Sequence, residues 1–174
     1  MSVMWLATRS TGLVALILLT LVTVLGIATS GGWGSSLWPR LVTNSLHRRL
    51  SLLSIVFLFI HIATTVLDGY VPVGWLDVVV PFASPYKTLW LGLSALAVDL
   101  LIAVMVTSYL RGRIGIRSWR AIHLLAYGAW GLATIHALGV GTDRMLTYIV
   151  ALGGVVVVAI TALARVTVPA RVTV

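Results

Sequence analysis

The sequence predicts an all-α integral membrane protein, a bundle of about five transmembrane helices, and three observations carry that reading. Sixty per cent of the 174 residues are apolar and nine per cent charged, with a mean hydropathy of +1.09, so lipid must be the solvent for most of the chain. The apolar residues fall into five runs of about twenty, the length that crosses a hydrocarbon core of about 30 Å at about 1.5 Å of rise per residue. The twelve cations collect at the ends of those runs, where they act as topology signals and not as the continuous basic face that nucleic acid requires. Residues 1–174 therefore read as one transmembrane domain, and its chemistry lies inside the bundle.

The first run covers residues 12–29, after a single cation, Arg9. Ala28-Thr29-Ser30 imitates a peptidase site, but the orientation derived below argues against cleavage. A Gly/Ser-rich linker follows, with Trp33 and Trp38 suited to the headgroup level. The second helix, 45–67, carries His47 and His61. Gly69, Pro72, Gly74, Pro81 and Pro85 break the segment after it, with the stretch from Trp75 to Phe82 expected along the interface. Tyr70, Trp75 and Phe82 there are either a cap over the outer site or an aromatic belt. Helix three is expected at 87–110 and holds Asp99 at membrane depth, as a proton relay or as a structural hydrogen bond to Tyr127 or Trp130. A short loop leads to helix four, 119–139, with His123 and His136, and helix five spans 145–166.

Cation counting orients the bundle. Nine cations (Arg40, Arg48, Arg49, Arg111, Arg113, Arg117, Arg120, Arg165, Arg171) fall on one side and three (Arg9, Lys87, Arg144) on the other, so the first side is cytoplasmic and the N-terminus external. The two histidine helices then run parallel, pairing His47 with His123 near the cytoplasmic face and His61 with His136 near the outer face. Eleven of the twelve cations are Arg, which fits a prokaryotic plasma (inner) membrane.

All four histidines of the chain lie in those two helices, roughly 20 Å apart along each. Ionisable groups at this depth tend to be functional, and neutral imidazole is an axial ligand of haem iron. Cysteine is absent, which excludes thiolate ligation and covalent c-type attachment, so the expected cofactor is two non-covalent b haems, each held by two histidines. Arg48, Arg49, Arg117 and Arg120 stand at the inner site, where they would meet haem propionates. A separation of fourteen residues keeps His47 and His61 on one face, whereas thirteen leaves His136 roughly 140° from His123 on an ideal helix. Either a bend at Gly128 and Gly131 or two different azimuths of approach accommodates that. Trp130, between the two levels, is a packing aromatic or an aid to electron transfer.

The pattern His47-x13-His61 with His123-x12-His136 resembles the ferric reductase-like transmembrane family, which includes the membrane parts of NADPH oxidases, ferric reductases and the haem subunit of the periplasmic methionine sulfoxide reductase system. The resemblance extends over about residues 10–166. It implies electron transfer through two b haems from a cytoplasmic donor to an external acceptor. This chain departs from the oxidases in having no flavin or nicotinamide domain after helix five, so the expected donor is a separate flavoprotein or quinol. Thr65 also stands where the oxidases place a further histidine. The expected acceptor is thus a ferric chelate or an exported redox protein docking over residues 68–85. Two other readings stay open: a quinol-linked b-type cytochrome, and a non-redox membrane protein using the histidines for a divalent cation.

Overall fold

The computed structural model describes residues 3–33, 39–69 and 71–167, and among these it is helical with no strand. The elements in order are α1 (Val3–Gly31), α2 (Arg40–Asp68), α3 (Trp75–Val79), α4 (Thr88–Tyr109), α5 (Arg111–Ile114), α6 (Ile116–His123), α7 (Leu125–Val140) and α8 (Arg144–Thr167). Five segments are long and apolar enough to cross a membrane, with α6 and α7 together making the fourth. Trp38, Tyr70 and Arg171 lie outside the described residues.

Two helices begin earlier than the apolar runs do. α1 starts at Val3, nine residues ahead of the expected start, because its polar first turns find partners within the helix. Ser10 Oγ donates to the Leu6 carbonyl at 2.7 Å and Thr11 Oγ1 to that of Ala7 at 2.6 Å. Arg9 lies over the Trp5 ring at 4.1 Å and pairs with Asp143 between α7 and α8, which ties the start of α1 to the far end of the bundle's sequence. α2 starts at Arg40, directly after Pro39 with its φ of −63°, the dihedral that proline presets for helix entry.

The expected loop after helix three is itself helical, forming α5 and the first turns of α6 around Gly115, whose φ is +80°. Helix four runs on through one tightened turn, with Leu124 still in helical conformation at φ −64° and ψ −22°. The turn is at Leu124, between α6 and α7, and not at Gly128 or Gly131. There the Tyr127 N–H donates to the Leu124 carbonyl at 3.1 Å, a three-residue step. Such a turn advances about 20° more per residue than an α-helix does, the direction in which His136 has to rotate to approach the face of His123.

α1 is the hub, in contact with α2, α7 and α8, while α7 also packs on α4. Among the described residues α2 packs closely on α1 alone. The helix that carries His47 and His61 and the one that carries His136 therefore face each other without interlocking. Small side chains keep the middle of α2 open: Ser54, seven residues from each histidine and so on their face, is 3% exposed.

The fold also sorts charge. Among the described residues, Arg40, Arg48, Arg49, Arg111, Arg113, Arg117, Arg120 and Arg165 lie at one end with no carboxylate, and Arg9, Lys87 and Arg144 lie at the other with Asp68, Asp77 and Asp143. Asp99 alone is at mid-depth on α4, half-buried.

Candidate functional site: two histidine pairs at two depths

The four histidines meet in pairs, one at each end of the bundle. At the arginine-rich end the rings of His47 and His123 have centroids 6.2 Å apart with planes at 67°. At the other end His61 and His136 line one cavity of about 320 Å³, together with Thr8, Arg9, Ser54 and Thr65.

Three of the four rings are held in the same way, by a backbone carbonyl of a neighbouring helix. His61 Nδ1 lies 2.8 Å from the Thr8 carbonyl, His47 Nδ1 3.1 Å from that of Val22, and His136 Nδ1 2.9 Å from that of Trp90. A carbonyl only accepts, so each of these Nδ1 atoms carries the proton and each Nε2 is left with its lone pair. That is the arrangement in which histidine binds a metal, its other ring nitrogen donating to an oxygen that orients it and raises its basicity. His123 differs. Its Nδ1 is 3.4 Å from Ser108 Oγ, which in turn receives the Trp119 indole N–H at 3.3 Å. Trp119, one turn before His123, stacks on the imidazole at 4.8 Å, and Arg111 lies over the indole at 4.4 Å.

Both α6–α7 histidines thereby address one face of α4. Trp90 and Ser108, which receive His136 and His123, are eighteen residues apart, five whole turns. The tightened turn at Leu124 moves His136 toward the face of His123, by about 60° of the roughly 140° that an ideal helix would leave.

The His47–His123 geometry can be tested against a metal held between two imidazoles. With metal–nitrogen bonds of about 2.0–2.1 Å and each ring centre about 1.1 Å behind its nitrogen, two trans imidazoles have centroids roughly 6.3 Å apart. The 6.2 Å separation matches that distance. Among the described residues no group of three His, Cys, Asp or Glu side chains gathers anywhere in the bundle, so each histidine pair stands without a third side chain of these types beside it.

Over residues 3–143 the chain matches the model of a family described as a domain of unknown function, DUF8596. The chain belongs to the DUF8596 family. No curated protein and no solved structure matches it. The DUF8596 region takes in α1 to α7 and stops one residue before α8, so it contains all four histidines and every group just described as holding them.

Within the DUF8596 region several expected residues take other places. Arg48, Arg49, Arg117 and Arg120 lie exposed at the His47–His123 end, and Arg111, exposed as well, lies over the Trp119 ring there. Trp130 does not bond Asp99; its indole N–H donates to Thr20 Oγ1 on α1 at 3.0 Å. Thr65 does line the outer cavity, with its hydroxyl donating to the His61 carbonyl at 2.7 Å. Trp75 and Phe82 are 53% and 47% exposed, which favours the belt over the cap. Ser108, Trp119 and Arg111 were not legible as site residues, although Trp119 stands four residues before His123 and so on its face.

Proposed function

We propose that this bundle is a di-haem transmembrane electron conduit, a reductase component like the ferric reductase-like proteins it resembles. Supporting it most directly is the pairing of the histidines at two depths, with His47 and His123 at the separation of two trans imidazoles. A porphyrin supplies four of six iron ligands and asks the protein for two imidazoles, which is what each level offers. A bare zinc ion asks for four, and neither pair is joined by a third ligand among the described residues.

When bound, haem iron supplies one-electron chemistry. The chain's own residues do the rest. His47 and His123 hold one haem and His61 and His136 the other, with no thiol for covalent attachment. The carbonyls of Val22, Thr8 and Trp90 keep Nε2 unprotonated and aimed away from the helix that holds each ring. Arg111, over the Trp119 ring beside His123, would meet the charge of the inner haem's propionates, with the exposed Arg48, Arg49 and Arg120 at the same end of the bundle. In the orientation that cation counting favours, with the N-terminus outside and the C-terminus in the cytoplasm of a prokaryotic plasma membrane, electrons enter at the arginine-rich end from a flavoprotein or quinol. They leave at the end marked by Arg9 and Asp143, to a ferric chelate or an exported redox protein.

A pyridine haemochrome assay on the purified chain tests this. Two b haems per polypeptide are expected, with His47→Ala or His123→Ala removing one and His61→Ala or His136→Ala the other. A colourless protein that copurifies with zinc would end the proposal.

A further inference from the structure

α1 matches α2 in a way that neither histidine pair by itself requires. Thr8 receives His61, and Val22 receives His47, so a step of fourteen residues up α1 answers a step of fourteen down α2. One turn beyond each accepting carbonyl, on the same face of α1, is a glycine. A Cβ on Gly12 would stand 2.8 Å from both Cε1 and Nδ1 of His61, and a Cβ on Gly26 would stand 3.4 Å from Cε1 of His47. The coincidence has a cause. In an α-helix the carbonyl of residue i already accepts the N–H of residue i+4, so an imidazole that shares the carbonyl lies against residue i+4, and only glycine leaves that space empty.

We propose that Gly12 and Gly26 are positioning residues, and that α1 is a template which seats the two histidines of α2 one at a time. Each carbonyl and glycine pair sets where one ring lies and which nitrogen carries its proton, so the two levels are addressable separately from a helix that carries no ligand. The consequence for haem rests on the function proposed above; the ring placement and the tautomer do not. The seats are graded. At Gly12 the ring fills the space of the missing Cβ, and an alanine must displace it, whereas at Gly26 an alanine meets only a tight contact and a β-branched residue is needed to displace His47.

The test compares Gly12→Ala, Gly26→Ala and Gly26→Val in the full-length chain, with Gly153→Ala as control because a Cβ there meets nothing within 4 Å. Histidine side-chain nitrogen NMR of the haem-free protein reads the tautomer of each ring, and haem per chain is measured after reconstitution. In G12A the His61 ring is expected to lose its single Nδ1–H tautomer while the other three rings keep their signals, and haem falls from two to one per chain. G26A is expected to shift the His47 signal less than G12A shifts that of His61, and G26V to change His47 and lose the other haem. An unchanged His61 signal in G12A overturns the proposal. Loss of both haems with lowered melting in G12A and G26V alike also overturns it, since that is what glycines acting only in helix packing produce. If wild type binds no haem but G12A still shifts His61 alone, the template stands and the haem reading falls.

Discussion

His123 is the exception among the four histidines, and the exception is chemical. Its three counterparts face carbonyls, which fix a tautomer, while Ser108 offers a hydroxyl that donates or accepts and lies 3.4 Å away, at the long limit of a hydrogen bond. What steadies this ring is the stack with Trp119 at 4.8 Å. An aromatic pair of this kind is worth about 0.5–1.5 kcal/mol beyond the area it buries, and 1 kcal/mol is about fivefold in affinity. Trp119→Ala is therefore expected to weaken haem binding at the inner level several-fold and leave the outer level untouched, whereas Ser108→Ala changes either little. Haem titration of the two variants, followed in the spectrum of each site, checks the order. The four histidines were legible as a group because nothing else in the sequence explains imidazoles at two depths. Their partners were not, because a backbone carbonyl carries no residue identity. The arginines beside His47 are a different case: adjacent positions on a helix point roughly 100° apart, and Arg48 and Arg49 stand next to the ring in sequence while their side chains are exposed.

At the scale of elements, the five spans were legible from hydropathy, with α4 and α8 within about a residue of expectation. The starts of α1 and α2 were not, since serine, threonine and arginine look like interface residues until their hydroxyls and guanidinium find partners. The tightened turn at Leu124 was invisible for a related reason. Leucine favours helix, and only the demand that His123 and His136 address one face of α4 calls for a tight turn there. That demand yields a prediction contrary to simple symmetry. Inserting one alanine after Gly131 would equalise the spacing of the two histidine helices at fourteen, yet it turns His136 by about 100° away from the Trp90 carbonyl. The insertion is expected to abolish the outer site and spare the inner one, leaving one haem per chain. Retention of both would mean that α7 slides to absorb the residue and that the Trp90 contact at 2.9 Å is dispensable.

For the molecule as a whole, the separation, among the described residues, of eight arginines at an end without carboxylates from three cations and three carboxylates at the other sets a polarity that lysine and arginine retention on the cytoplasmic side would convert into an orientation. Reporter fusions after Val174 are expected to be active in the cytoplasm, and fusions within residues 71–84 outside. The reverse pattern would invert the proposed direction of electron flow.

The nature of the outer end leads to the expectation that oxygen is a poor acceptor here. In the di-haem reading proposed above, two histidines per haem would leave no open iron position, so superoxide would have to form beside the haem and be stabilised there by a free donor or a positive charge. Thr65 has the place but not the means, because its hydroxyl already donates to the His61 carbonyl at 2.7 Å. Arg9 lines the cavity but is paired with Asp143, which offsets its charge where superoxide would need it. Protein reduced chemically in vesicles is thus expected to reoxidise slowly in oxygen and rapidly with ferric chelates, and Thr65→Ala should alter neither rate. Asp143→Asn uncovers Arg9, so its superoxide yield should exceed that of wild type, with reoxidation by chelates retained. Oxidase-like superoxide release from wild type, unaffected by either substitution, would show that the stabilising charge lies elsewhere and that the Arg9–Asp143 pair is structural only.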